Sequence, residues 1–294
     1  LTEIETEILK YRKISAKGKE QYQIVLRQTP FYAESGGQVG DTGRLEDHSR
    51  QFWVEITDTK KENGVIVHYT DTLPADVDGK FWAVIDAEKR ELTADNHSAT
   101  HLLHAALKQV LGSHVNQKGS LVNADNLRFD FSHFAKISDD DLAEIEKIVN
   151  QKIRENIKLN EQRNVPYDEA INSGVTALFG EKYGDNVRAI KFGESMELCG
   201  GIHVNNTAEI WHFKIVSEGA VAAGIRRIEA ITSDAVKAHF ASYETTLNDI
   251  KGALKNPQDI LKAVHNLQED NAKLAKQIET LVKDKVKHLK ASLA

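Results

Sequence analysis

Cysteine occurs once in 294 residues, at Cys199, so no internal disulfide can form, and a reducing, cytoplasmic setting is expected. Methionine also occurs once, at Met196 and not at the start, so the chain is expected to be a piece of something longer. No run approaches the roughly 18 apolar residues of a membrane span. The opening Leu1-Thr2-Glu3-Ile4-Glu5 lacks the basic-then-apolar pattern of a secretion signal, and no membrane partner is expected. Basic residues are not in excess. Lys and Arg number 38 against 44 Asp and Glu, a net charge of −6, which argues against a surface coated for nucleic acid but leaves room for a local basic patch. What is present is ordinary globular material, 40% apolar and 28% charged, enough for a sizeable core. At roughly 150 residues per domain, the length suggests about two domains.

Three stretches differ in texture. Residues 1–88 carry short β-branched or aromatic runs at 22–27, 52–56, 64–70 and 80–85, separated by turn signals such as Asn63-Gly64 and Asp78-Gly79. A small antiparallel β-barrel is predicted there. Within it, the segment from Thr29 to Gly43 packs four glycines into the eight residues Gly36-Gly37-Gln38-Val39-Gly40-Asp41-Thr42-Gly43, backbone that takes positive φ or comes close to something. It is neither a Rossmann fingerprint nor a P-loop, and by itself reads as a strained barrel loop. Residues 89–232 mix helix and strand. Leu102, Leu103, Ala106, Leu107, Val110 and Leu111 recur at helical spacing up to Gly112. A strand is predicted at 127–131, and a helix beginning at Ser138, with Asp141 completing a capping-box variant. Further strands are predicted at 188–192 and 209–215. The class is α+β. Residues 233–294 read as helical, divided by Asn256 as an N-cap and Pro257 as a first-turn proline. Beyond it, Ile260, Val264, Leu267, Asn271, Leu274, Ile278 and Leu281 form a coiled-coil seam with one polar member. That seam admits either pairing with the preceding helix or a homo-oligomer through this region.

Two pairs of side chains carry chemistry. His97 and His101 stand four apart at the expected start of the first long helix, so their rings share a face. In Glu197-Leu198-Cys199-Gly200-Gly201-Ile202-His203, the cysteine precedes a histidine by four, with two glycines allowing a tight loop. Together they offer three imidazoles and a thiolate, a tetrahedral set suited to Zn. A zincin reading fails because Ser98 stands where the general-base Glu belongs. A zinc-finger reading fails because the pairs lie about a hundred residues apart. His104 shares the helix face, either as an alternative ligand or as an ordinary packed histidine.

These motifs resemble a known family. His97-Ser98-Ala99-Thr100-His101, Gln117-Lys118-Gly119-Ser120 and Leu198-Cys199-Gly200-Gly201-Ile202-His203 are similar to the editing domain of alanyl-tRNA synthetase, and the glycine-rich loop is similar to the barrel preceding it. The resemblance covers nearly the whole chain, in the family's order. It implies a barrel at 1–88, an editing domain of the threonyl/alanyl-tRNA synthetase second-additional-domain type at 89–232, and the start of a helical C-terminal region at 233–294. The aminoacylation domains would precede Leu1.

The activity implied is hydrolysis of the ester joining mischarged serine or glycine to the 3′ acceptor end of tRNA(Ala). An alanine pocket excludes glycine poorly and a hydroxyl poorly, so a second site must remove the wrong product. The resemblance implies zinc on His97, His101, Cys199 and His203, and a substrate pocket using Thr100, Gln117 and Ser120. Ile202 departs from the family, which more often has Thr there. A freestanding alanyl-tRNA deacylase and a non-catalytic, zinc-stabilised RNA-binding module are the alternatives. For tRNA contacts, Arg226-Arg227 follows a Gly- and Ala-rich stretch and could meet a phosphate, or pair with Glu229 or another acid. Lys118 and Lys182 are further candidates.

Overall fold

Fourteen residues from Glu3, with charged side chains interleaved among apolar ones, form the longest strand among the described residues, β1 (Glu3–Ala16). Its charge content conceals it from a search for β-branched runs. In the computed structural model, which describes residues 1–16, 18–177 and 183–292, β1 is followed by β2 (Lys19–Leu26), β3 (Gly43–Asp47), β4 (Trp53–Ile56), β5 (Asp58–Glu62), β6 (Val65–Thr70) and β7 (Lys80–Ile85). They make one antiparallel sheet in the order β4-β3-β7-β1-β2-β6-β5. The first half of β1 pairs with β7, Glu3 opposite Val84, and the second half with β2, Ile8 opposite Leu26. The edge strands β4 and β5 are separated in the chain by Thr57 alone, whose N–H reaches the Tyr69 carbonyl of β6 at 2.8 Å. The sheet therefore curls so that its two edge strands come together end to end at Thr57, without pairing to each other. Ile24, Leu45, Ile56, Phe81 and Ala83 fill its interior.

Asp86 caps the first helix, its Oδ1 accepting the Lys89 N–H at 3.1 Å. The helix, α1 (Ala87–Leu111), ends at Gly112, where φ of 111° favours glycine. It starts ten residues before His97, so the histidine pair sits in mid-helix and not at its start as the apolar spacing suggested. After α1 come β8 (Gln117–Val122), β9 (Leu127–Ser132), α2 (Asp139–Arg154), β10 (Asn160–Pro166), α3 (Tyr167–Asn172), β11 (Asn186–Phe192), β12 (Ser195–Leu198), β13 (Phe213–Ala222) and β14 (Ile225–Thr232). The Ser138 cap of α2 is present, with Asp141 N–H on Ser138 Oγ at 3.1 Å. The strand expected at 209–215 is corrected: Thr207–Ile210 is a single 3-10 turn, and β13 starts at Phe213.

Two further antiparallel sheets result, β13-β14-β9-β8 and β10-β11-β12. Leu103, Leu107, Phe129, Phe131, Ile145 and Phe213 have no exposed surface and belong to one core cluster shared by α1, α2 and the four-stranded sheet. Full burial of each such side chain contributes about 1.5–3 kcal/mol. Asp95, Asn96, His97, Ser98, Thr100, His101 and His104 are buried on α1 alongside apolar ones. Buried polar groups need partners. Asn96 has them, donating to the Asn123 carbonyl at 2.9 Å and accepting from Thr232 at 2.8 Å.

Residues 1–236 form one compact unit and residues 237–294 a second. The helical texture beyond 233 is realised as α4 (Ser233–Ala253) and α5 (Ile260–Ser292). The break between them falls where Asn256-Pro257 placed it, but the capping differs. Lys255 and Asn256 take left-handed backbone, and Asp259 supplies the cap, its Oδ1 accepting the Lys262 N–H at 2.9 Å. No described residue of α5 is buried, and Leu267, Leu274, Ile278 and Leu281 of the seam are exposed, so the seam is not covered by the preceding helix.

Candidate metal centre and cleft

Residues four apart on α1 project together, which brings His97 and His101 to the same side of a buried helix. Opposite them, β12 ends at Leu198 and the chain turns through Cys199, Gly200 and Gly201 to His203. The four ligand atoms of His97, His101, Cys199 and His203 lie within 4.8 Å of one another. Cys199 Sγ is 3.4 Å from His97 Nε2 and 3.3 Å from His203 Nε2. A tetrahedral shell with zinc–nitrogen bonds of about 2.0 Å and zinc–sulfur bonds of about 2.3 Å has nitrogen–sulfur edges of about 3.5 Å. The cluster could hold a metal ion, and its spacing and donor chemistry suit zinc.

Two of the three imidazoles are hydrogen bonded from behind. His97 Nδ1 donates to Gln38 Oε1 at 2.8 Å and Ser98 Oγ lies 3.1 Å from His203 Nδ1; His101 Nδ1 faces Glu197 Oε2 at 3.6 Å, beyond hydrogen-bond reach, and is buried without a hydrogen-bond partner among the described residues. Such partners on the outer nitrogen leave the inner one with its lone pair toward an ion. Burial pushes His97 and His203 far below the ordinary imidazole range, with crowding by the neighbouring rings adding to it, and lowers His101 against the opposing pull of Glu197. His97 falls to about 3. The rings are therefore neutral ligands at physiological pH. Burial alone would raise the Glu197 carboxyl, but its interactions with the neighbouring His101 and His104 rings, the latter hydrogen bonded to it, outweigh this and hold it at about 2. His104 is not the fourth ligand. Its Nδ1 donates to Glu197 Oε1 at 2.8 Å, and its ring packs on Phe129.

The turn carrying Cys199 is tied down along its length. Arg188 Nη1 donates to the carbonyls of Cys199, at 3.0 Å, and Gly201, at 2.5 Å, while its Nε is anchored on Glu161. The Ile202 N–H donates to Gln38 Oε1 at 2.8 Å and the Val204 N–H to Ser98 Oγ at 3.1 Å. Gly201 must be glycine, because a Cβ there would overlap the His97 ring; a Cβ on Gly200 would meet nothing within 4 Å.

Beside the four ligands opens a cleft lined by Tyr32, Thr100, Gln117, Ser120, Glu197 and the backbone of Gly36, Gly200 and Gly201. The structure thus brings Thr100, Gln117 and Ser120 to the same hollow as His97, His101 and Cys199. Thr100 is buried and donates its hydroxyl proton to the Asn96 carbonyl at 2.8 Å, so the oxygen keeps lone pairs to offer. The glycine-rich segment forms one wall. Gly37 accepts the Val122 N–H at 2.8 Å and Val39 donates to the Val122 carbonyl at 3.0 Å, which lays the segment along the β8 edge. A Cβ on Gly37 would come within 2.7 Å of the Ser120 carbonyl oxygen. What reads as a loop of the barrel is a close approach between the two halves of this unit.

The arginine pair behaves differently. Arg226 is bidentate on Glu218 and Arg227 bidentate on Asp130, at 2.6 and 2.7 Å, so both charges are met within the chain, by acids other than Glu229. The Gly- and Ala-rich stretch before them is the end of β13, paired with β14. Lys118 lies exposed on β8, and Lys182 falls outside the described residues. Sequence reasoning did not single out Gln38, Ser98, Glu197 or Arg188 as site residues. Three of them adjoin a motif or lie inside the glycine segment, which was the available signal; Arg188 had none.

A family model described as the threonyl and alanyl tRNA synthetase second additional domain matches residues 187–229, which include Cys199 and His203. Another, described as tRNA synthetases class II (A), matches residues 2–89, the curled sheet. The two matches make this a tRNA synthetase segment bearing a second additional domain. The alanine–tRNA ligase of Flavobacterium psychrophilum is 57% identical over 300 residues, spanning 99% of this chain and 34% of that protein. That of Christiangramia forsetii is 55% identical over 292 residues, spanning 99% and 33%, and that of Cytophaga hutchinsonii 54% over 288, spanning 97% and 33%. The chain belongs to the alanine–tRNA ligase family and spans about a third of the length of the relatives it matches.

Proposed function

We propose that this chain is an aminoacyl-tRNA hydrolase that cleaves the ester of mischarged Ser-tRNA(Ala) and Gly-tRNA(Ala), with zinc held by His97, His101, Cys199 and His203. The observation that carries the reading is the convergence of those four donors beside a cleft that three of them, His97, His101 and Cys199, line together with Thr100, Gln117 and Ser120. When bound, the ion supplies Lewis acidity toward an ester carbonyl or water wherever a coordination position is open. Everything else is the work of side chains. Thr100 Oγ1 offers an acceptor to the hydroxyl of a misattached serine, and alanine, lacking one, leaves it unpaired; that difference is the basis of discrimination. Gln117 supplies a second polar contact, and Ser120 shapes the wall against which the glycine segment packs. The Glu197 carboxylate is engaged by His104 and faces His101, so its role is to orient and not to take a proton from water. The partner is the 3′ acceptor end of tRNA(Ala).

Incubation of the chain with Ser-tRNA(Ala) and Ala-tRNA(Ala), side by side and with and without chelation, tests the reading. Loss of the serine ester alone, abolished by chelation and restored by zinc, is expected. Gln117→His that leaves hydrolysis of both substrates unchanged would remove Gln117 from the pocket. The four protein donors fill a tetrahedral shell, which also favours a second reading, a non-catalytic zinc-stabilised RNA-binding module; retention of the serine ester with zinc present would select it.

A further inference from the structure

We propose that Gln38, carried on the glycine-rich segment of the curled sheet, is a positioning residue for the metal centre, using one oxygen to fix both the ligating nitrogen of His97 and the turn that bears Cys199 and His203. The inference rests on the reading of those four side chains as a metal centre.

The amide has one allowed orientation. The Ile202 N–H can only donate, so the atom facing it at 2.8 Å must be the carbonyl oxygen, Oε1. That same oxygen lies 2.8 Å from His97 Nδ1. Nδ1 therefore carries the proton, and Nε2, 3.4 Å from Cys199 Sγ, keeps its lone pair on the side of the other donors. One acceptor thus sets the tautomer of a ligand on α1 and the position of the turn between the two remaining ligands after β12. No spacing along the chain could do this, because the three segments are remote from one another in sequence.

Gln38 is itself held rigidly. It is 1% exposed, and its neighbours Gly37 and Val39 both hydrogen bond Val122, so its backbone is pinned to the edge of β8. Its Nε2 is buried with no hydrogen-bond partner among the described residues. A buried, unpaired donor costs about 1–3 kcal/mol. The stability of the fold gains nothing from that NH2 group; what the site gains is the doubly used oxygen at the other end of the amide. The adjoining Gly201, which has no room for a Cβ between His97 and Gln38, completes the same contact.

The test is the metal affinity of the 294-residue chain, by competition with a chromophoric chelator for Zn2+ and by the absorption of bound Co2+, in wild type, Gln38→Leu and Gln38→Glu. Thermal unfolding in chelator reports the fold separately. Loss of a partner to a ligating histidine weakens metal binding about 10–100-fold, so Gln38→Leu is expected to fall by that factor and Gln38→Glu, which keeps the acceptor, to stay within about threefold. Nitrogen NMR of the metal-free wild type should show His97 protonated on Nδ1, a readout that needs no variant. Gln38→Leu binding as tightly as wild type, Gln38→Glu as weak as Gln38→Leu, or His97 protonated on Nε2 would each overturn the inference. A wild-type chain that binds neither ion would overturn the metal-centre reading beneath it.

Discussion

Gly201 and His97, more than a hundred residues apart in the chain, are packed so closely that a methyl group on the glycine would occupy the space of the imidazole ring. This contact defines how the loop after β12 seats on α1. It also separates two glycines that the sequence presents as equivalent, since a Cβ on Gly200 meets nothing within 4 Å.

Gly201→Ala must therefore displace His97 or the turn. Overpacking of this kind costs about 1–3 kcal/mol, and a misplaced ligand is expected to weaken zinc binding by roughly tenfold or more. Gly200→Ala should bind zinc like the wild type. Equilibrium dialysis of both variants checks the contrast, and equal affinities would show that the contact is not what seats the loop.

Thr100→Val keeps the shape of the side chain and removes its oxygen. If that oxygen receives the serine hydroxyl, kcat/KM on Ser-tRNA(Ala) should fall about 10–100-fold, or roughly 1.4–2.7 kcal/mol of transition-state stabilisation. Hydrolysis of Gly-tRNA(Ala), which has no hydroxyl to bind, should change little. Parallel decay of the two esters in the variant would mean that Thr100 does not discriminate.

The curled sheet contains an acid-sensitive group. His68 is fully buried, with Nδ1 3.2 Å from the Ile24 carbonyl and Nε2 2.7 Å from Thr29 Oγ1, and burial lowers its pKa from 6.5 to about 4. The folded chain then binds this proton less readily than the unfolded chain. Its contribution to stability is complete above pH 6.5 and is lost as the pH falls from there through about 4. The full difference of about 2.5 pH units corresponds to about 3 kcal/mol. Denaturant unfolding between pH 7 and 4 should show a shallower decline for His68→Gln than for wild type, although the variant starts lower. Identical slopes would exclude His68 as a source of acid sensitivity.

Arg227 is expected to act in the fold and not on phosphate, because Asp130 already neutralises its charge through a bidentate pair on Nε and Nη2. Removing a phosphate contact reduces the slope of log K against log salt by about 0.7–0.9. Arg227→Met should leave that slope for tRNA(Ala) unchanged while lowering the unfolding temperature. A slope reduced by nearly one would return the residue to the nucleic-acid surface.

Much of the fold was legible wherever a local pattern matched the element. The caps at Ser138 and Gly112, the helical repeat ending at Leu111 and the strand at 127–131 all appear as read. The strands β1, β3 and β5 were not legible, because they carry charges on an exposed face and gain their pairing from neighbours distant in sequence. The 3-10 turn at Thr207–Ile210 interrupts a run that looks like a strand because Thr207 Oγ1 donates to the Lys152 carbonyl of α2 at 2.7 Å, a contact no window of sequence contains.

The sequence by itself determined the four donors. A spacing of four puts two imidazoles on one helical face, and paired glycines let a cysteine and a histidine turn toward the same side. These are consequences of backbone geometry within a few residues. Only the tertiary structure decided that the two pairs meet, that Glu197 and not a fourth ligand site receives His104, and that a glutamine from the curled sheet sits behind His97. Those outcomes depend on the packing of α1 against β12 and on the glycine segment lying along β8, where the partners are set by buried surface and backbone hydrogen bonds between segments far apart in the chain.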